Sequence, residues 1–390
     1  MLQTSSIAPF DLLFFSLEDW DEIWRRNQFV CASWSRRHPQ QKILFVTPPR
    51  VVPIALKKRD FSILRGKSQN PTGLSNIHIF RPLRLFPNTF APLRAFNDWH
   101  ERRQINAEMR RLRVKAPLMW LNSHFALHAV EKIDKRSLIY DITDDWISLR
   151  QTDARRQLVV DLDAQLCRLA DCTIVCSQHL LELKKSLARR LELVPNGVDC
   201  EHYARVNDDV LPANPLARGW KRPVLGYTGT IHPDRIDLDL VAALCKAVPD
   251  ATVALVGPDM LSPAQRAPLQ RFPNLVLTGA VPYSQIPDVM RTFNVCITPH
   301  LETDFTQSLN PIKLWEYLAA GKPIVATDVA GFRDFKPLVL IASGAADFVA
   351  ACRVALNGDD LATQRQEIAL HNSWDARLDQ IESILAEVTR

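Results

Sequence analysis

The sequence predicts an α/β fold built from two doubly wound parallel-sheet domains, and three observations predict it. Short apolar runs of strand length alternate with helical stretches, which is the pattern of parallel sheets covered on both faces. The alternation occurs twice, on either side of a segment from Arg205 to Pro223 that holds Asn207, Asp208, Asp209, Pro212, Asn214, Pro215 and Gly219 without an apolar period. A chain of 390 residues with 47% hydrophobic composition is also long enough to bury two cores. The expected division is a first domain over 1–204, a linker over 205–223, a second domain over 224–370 and a C-terminal helix over 371–390.

In the first series, Asp11–Ser16 and Lys42–Thr47 are apolar runs separated by a helical stretch. Ile77–Phe80, Leu118–Leu121, Ser137–Asp141, Cys172–Cys176 and Leu191–Val194 continue the pattern. The second series reads Val224–Thr228, Thr252–Val256, Leu275–Thr278, Val295–Thr298 and Ile324–Thr327, again with helices between. Ligands of such sheets bind beyond the carboxyl ends of the strands.

One stretch, Gln307 to Thr327, says most about the ligand. Asn310 reads as an N-cap with Pro311 at the first helical position, and Gly321 with Pro323 ends the helix. N–H groups from Leu309 to Lys313, at the positive end of the helix dipole, suit a phosphate or diphosphate. Glu316 lies about one turn further in, roughly 5 Å along the axis. A carboxylate there can accept from two vicinal hydroxyls, so this helix is read as gripping both the phosphate and the ribose of a nucleotide.

The same residues resemble the donor motif of retaining, two-Rossmann-domain (GT-B) glycosyltransferases of family 4, a fold whose two domains face each other across a cleft. Asn-Pro-x-Lys-x-x-Glu-Tyr at 310–317 is similar to the teichuronic-acid-type members. The family pattern Glu-x7-Glu falls on Ser308 and Glu316, so its first acid is replaced here. The resemblance implies donor contacts by Ser308, Asn310, Pro311, Ile312, Lys313 and Glu316. It implies a small-residue loop below the diphosphate at Gly226–Thr230, with Gly229 and Thr230 closest and Arg235 as a neutralising charge. It implies a wall for the base at Thr278–Tyr283, with Val281 and Tyr283. Leu193–Asp199 matches the family's Val-Pro-Asn-Gly-Val-Asp signature, whose physical content is a tight turn at the domain exit.

In the first domain Leu138–Trp146 ends a strand with Asp141, Asp144 and Asp145 where relatives often carry a His dipeptide. A carboxylate facing the anomeric carbon can stabilise oxocarbenium-like charge, with Asp144 the first choice and Asp145 the second; either can instead cap a helix. His124 and His128 are further candidates for the same cleft, and Arg26 and Gln28 resemble an Arg-x-Gln pair serving the acceptor or the diphosphate. Asp161-Leu162-Asp163 and Asp237-Leu238-Asp239 imitate a metal-binding Asp-x-Asp but sit in helical patterns, so no metal and no cofactor beyond the sugar nucleotide is expected.

Composition narrows the rest. The start of the chain lacks a basic n-region, so no signal peptide is read, and the longest uncharged run, Ala116–Val130, is too short to span a bilayer. The eight cysteines lack zinc-site spacing and read as buried reduced thiols. Residues 1–200 hold 31 Lys and Arg against 21 Asp and Glu, and residues 51–115 alone hold 14 against 4. That basic run, interleaved with Phe80, Leu83, Leu85, Phe86, Phe90, Leu93, Phe96 and Trp99, is read as facing an anionic membrane.

The expectation is a cytoplasmic enzyme, peripheral on the inner membrane face, that transfers sugar from a nucleotide diphosphate to a saccharide or lipid-linked hydroxyl acceptor in cell-envelope polysaccharide or glycolipid synthesis. Two alternatives stay open: a nucleotide-sugar epimerase of the same fold, and a nucleic-acid-binding protein using the basic half. The basic half shows no nucleic-acid recognition motif.

Overall fold

The computed structural model describes residues 9–57, 59, 69–71, 73–88, 90–148, 151–208 and 214–389. The chain forms two compact units, one of Met1–Ile147, Gln151–Val194 and Leu378–Arg390, the other of Ser148–Arg150 and Pro195–Arg377. The division thus falls at Val194/Pro195 and not at residue 204. The described parts of 205–223 form short 3-10 turns at Arg205–Asn207 and Pro215–Ala217 within the second unit. Arg205 pairs with Asp288 at 2.8 Å, so this segment is packed against its own domain and does not hang free between two.

The first unit holds strands β1 (Leu12–Phe15), β2 (Ile43–Val46), β3 (Arg50–Val51), β4 (Ile77–Phe80), β5 (Leu83–Arg84), β6 (Leu118–Leu121), β7 (Ser137–Ile142), β8 (Cys172–Val175) and β9 (Leu191–Leu193). Seven form one parallel sheet in the order β4-β2-β1-β6-β7-β8-β9, and β3 pairs with β5. Register places Phe14 beside Phe45 and Trp120. The three rings stack at centroid separations of 5.4 and 5.9 Å on one face. Leu13, Phe15, Leu44, Met119, Leu121 and Tyr140 build the core on the other. Because both faces are covered, the strands read as unbroken apolar runs.

The second unit holds β10 (Val224–Thr228), β11 (Thr252–Val256), β12 (Leu275–Leu277), β13 (Val295–Thr298), β14 (Ile324–Thr327) and β15 (Val339–Ala342), in the order β12-β11-β10-β13-β14-β15. The edge strand β15 is an addition to the sequence reading. Its run Leu338–Ala342 follows Pro337 closely and pairs with β14 over four residues. The order reverses at β10, whose neighbours are β11 and β13, and the carboxyl end of β10 is therefore the topological switch point. The C-terminal helix runs Trp374–Val388, inside the expected 371–390. Its Leu378, Ile381, Ile384 and Leu385 are buried, and the stretch from Leu378 belongs to the first unit.

Candidate functional site

At the switch point three loops leave adjacent strands at glycine. Gly229 follows β10 and donates its N–H to Val256, and Gly257 follows β11 and donates to Gly279. Gly257 has φ 147°, and a Cβ there would lie 2.2 Å from the Gly229 carbonyl oxygen, so only glycine lets the two loops touch. This close approach fixes the Gly229–Thr230 backbone, with the Tyr227 hydroxyl donating to the Thr230 carbonyl at 3.2 Å.

The helix expected at Asn310 begins later. It runs Ile312–Ala320 and ends at Gly321 in the left-handed conformation. Pro311 occupies the N-cap position, and Asn310 does not cap. Its side-chain oxygen instead accepts from the Asn196 N–H at 2.8 Å and the Trp315 indole at 3.2 Å. Two stronger demands win the Asn310 side chain, so the first-turn N–H groups fall at Ile312 and Lys313. The Val194–Asp199 motif thus does more than turn the chain. Asn196 clamps the loop before the helix, and Asp199 caps Cys200–Ala204 by accepting from His202 N–H at 3.0 Å. That short helix sets Tyr203 beside Glu316.

Glu316 is half-buried. Burial lifts its carboxyl above the ordinary range, while the Tyr203 hydroxyl and then the Lys313 charge pull it part of the way back. Lys313 lies 5.3 Å from the Tyr227 ring centroid, and its Cε would be 3.2 Å from a Cβ on Gly229. Arg235 lies over Phe305 at 5.0 Å. The Tyr317 hydroxyl accepts from the Thr228 N–H at 2.8 Å, pinning the helix to β10. Lys313 is therefore brought against the Gly229 loop, with Glu316 within reach of its charge. Val281 is buried, and Tyr283 stacks on His202 at 4.2 Å. Ser308 is fully buried and donates to the Phe305 carbonyl at 2.7 Å, so its hydroxyl holds the loop.

His300, at the carboxyl end of β13, escaped the sequence reading. It is buried, and neither ring nitrogen meets a partner among the described residues. Burial holds the imidazole far below its ordinary pKa, and the Lys313 and Arg235 charges push the same way. A titratable residue directly after a strand of the second series was the available signal.

The first-unit candidates mostly have internal partners. Arg26 is buried and donates Nε to Asp141 at 3.0 Å, and Asp141, 0% exposed, also accepts from Trp120 at 3.2 Å. Gln28 is buried as half of a helix start, accepting from Arg25 N–H and donating to the Asp21 carbonyl. Asp145 is buried and accepts from Ile147 N–H at 3.2 Å, a local turn bond. Asp144 is half-buried at the carboxyl end of β7. His124 is buried, and desolvation pushes its pKa down to about 4, with Arg155 and Lys184 pushing the same way against Asp163.

Of the two Asp-x-Asp runs, Asp163 is engaged by Lys184 Nζ at 2.7 Å and the Tyr140 hydroxyl at 2.8 Å. Asp237 caps the Leu238–Ala247 helix, at its start and not within it. Elsewhere Asp98, Glu101 and His128 bring potential ligand atoms within 4.8 Å of one another. Arg84, however, already donates two guanidinium nitrogens to Glu101 at 3.0 Å.

Two open parallel sheets, with a glycine-lined switch point and a helix start beside it, define the GT-B fold. Residues 222–357, within the second unit, match the family described as Glycosyl transferases group 1. The putative teichuronic acid biosynthesis glycosyltransferase TuaH of Bacillus subtilis is 31% identical over 263 residues, covering 63% of this chain and 65% of that relative's length. The fold is similar to sucrose-phosphate synthase from Thermosynechococcus elongatus, with a TM-score of 0.73 and 15% identity over 97% of this chain and 99% of the other. It is also similar to HepE from Anabaena, solved with UDP-glucose, with a TM-score of 0.65 and 16% identity over 97% and 99% of the two chains.

Proposed function

We propose that the chain is a retaining glycosyltransferase that moves a sugar from a nucleotide diphosphate to a hydroxyl acceptor in cell-envelope polysaccharide or glycolipid synthesis. The observation that carries this reading is Lys313 lying against the Gly229 loop at the switch point of the second unit, with Glu316 beside it on the same helix start. A cation, first-turn N–H groups and a carboxylate one turn apart match a diphosphate and a ribose diol. The Val281 and Tyr283 wall suits the base. The UDP-glucose held by HepE, and the polysaccharide role named for TuaH, support donor and pathway class.

In this reading Lys313 and Arg235, with the helix dipole, neutralise the leaving diphosphate, and no metal is assigned to the transfer. Asp144 stabilises developing positive charge at the sugar carbon. The reaction is tested by incubating the chain with a panel of nucleotide sugars and saccharide or lipid-linked acceptors. Acceptor-dependent release of nucleoside diphosphate supports transfer; interconversion of free sugar nucleotides without an acceptor would instead identify an epimerase.

The acceptor is assigned to a membrane on the inner face of the cytoplasmic membrane. Among the described residues no helix is long and apolar enough to cross a bilayer. The basic stretch is only partly available for this role, since Arg81 pairs with Asp19 and Arg84 with Glu101. The start of the Ala91–Leu112 helix is open for it: Phe90 is 66% exposed, and Phe86, Phe96 and Trp99 are exposed beside Arg94 and Arg103. Sedimentation with anionic liposomes, weakened by salt and by Arg94→Glu, is the expected result. Equal recovery with neutral liposomes would favour a water-soluble acceptor.

A further inference from the structure

The Asp153–Leu169 helix of the first unit has two apolar stripes. Val159, Leu166 and Cys167 are buried toward the sheet. Leu158, Leu162 and Leu169, on a second stripe, line an open groove of about 760 Å³ that is closed on its other sides by Phe125 and the Ala91–Leu112 helix. Leu158 is 38% exposed and Phe125 39% exposed. Leu169 also packs against the core of the first unit, whereas Leu158 is left exposed, and leaving it wet is unfavourable.

The groove is edged with more positive than negative charge, since Asp98 and Glu131 line it beside Arg84, Arg94, Arg102, Lys132 and Arg155. Arg84 is satisfied by Glu101, and Arg102 donates to the His128 carbonyl. Lys132 and Arg155 are exposed, and no carboxylate pairs with either among the described residues. Leucines spread over 11 helical steps, from Leu158 to Leu169, give an apolar track of about 16 Å. Cations beside an apolar track fit neither a free sugar, which lacks charge, nor inorganic phosphate, which lacks a chain.

We infer that this groove binds one membrane amphiphile, an aliphatic chain bearing a phosphate head, with the chain along Leu158, Leu162 and Leu169 and the head at Lys132 and Arg155. The inference does not rest on sugar transfer: every residue that lines the groove belongs to the first unit.

The test is calorimetric titration of the whole chain with dodecyl phosphate below its micellar concentration, beside dodecyl maltoside and inorganic phosphate. We expect one dodecyl phosphate per chain, bound at least tenfold more tightly than the maltoside, and no measurable heat from inorganic phosphate. Leu158→Asp, and separately Lys132→Glu with Arg155→Glu, should each weaken binding at least tenfold without lowering the melting temperature, since all three side chains are exposed. Three results would overturn the inference. One is equal affinity for the two head groups, another is dodecyl phosphate affinity unchanged in both variants, and the third is concentration-dependent dimerisation abolished by Leu158→Asp in a chain that binds no amphiphile.

Discussion

Glu316 carries two demands that pull in opposite directions. As a half-buried carboxyl it titrates above its ordinary value, so the unfolded chain gives up this proton more readily than the folded one. Stability is then lost as pH rises from the ordinary carboxyl value through the raised one, and above that window the loss is complete. Glu316→Gln cannot ionise, and its ligand-free melting temperature should exceed that of the parent at pH 8 and converge with it near pH 4. The same substitution should weaken nucleotide-sugar binding roughly 10- to 100-fold, the equivalent of about 1.5–3 kcal/mol for a charge-assisted hydrogen bond. A gain in stability with no loss of affinity would assign the carboxylate to something other than the ribose. Gly257 makes a separate demand, for space. Gly257→Ala should destabilise by about 2–4 kcal/mol because the methyl meets the Gly229 backbone, whereas Gly279→Ala, with open space around it, should cost about 1 kcal/mol. Equal melting temperatures in the two variants would mean that the Gly229 and Gly257 loops do not press together.

Between elements, the Asp153–Leu169 helix is tied to β7 and to the Gln178–Lys184 helix by one buried polar group, Asp163, which accepts from Tyr140 and Lys184. Lys184→Met leaves that carboxylate buried and uncompensated, and should cost about 3–5 kcal/mol in chemical denaturation. Adding Asp163→Asn keeps a partner for Tyr140 and should recover most of the loss; no recovery would show that Lys184 matters for packing alone. This network also shows where sequence reading stopped. The twelve strands it named recur because both-face burial writes itself as continuous apolar runs, such as Leu12–Phe15 and Val224–Thr228. Asp163 looked like half of a metal motif because its partners lie 21 to 23 residues away, beyond any local pattern. Asn310 looked like an N-cap for the same reason, since nothing near it announces that Asn196, more than a hundred residues earlier, will claim its side chain. Lys313 and Glu316 were legible because one helix spaces them, and His300 was not because its setting comes from neighbouring strands and helices.

On the scale of the molecule, the chain returns to its first unit at its end, after the long second-unit stretch from Pro195 to Arg377. From Leu378 the last helix buries four aliphatic side chains there, each worth about 1.5–3 kcal/mol. Arg37 adds ion pairs to Asp379 at 2.5 Å and Glu382 at 3.2 Å. That sum is comparable to the whole stability of an ordinary domain. A chain ending at Arg377 should therefore lose the calorimetric transition of the first unit and keep that of the second; joint loss of both would mean that the units do not unfold independently. The retained unit would still hold Gly229, Lys313 and Glu316. The account's central claim is that these residues bind a nucleoside diphosphate, and calorimetric titration of the intact chain with a panel of nucleoside diphosphates tests it most directly. The account predicts micromolar binding of at least one, weakened more than tenfold by Lys313→Ala and unchanged by Asp144→Asn. Binding of none, or an affinity indifferent to Lys313, would contradict it.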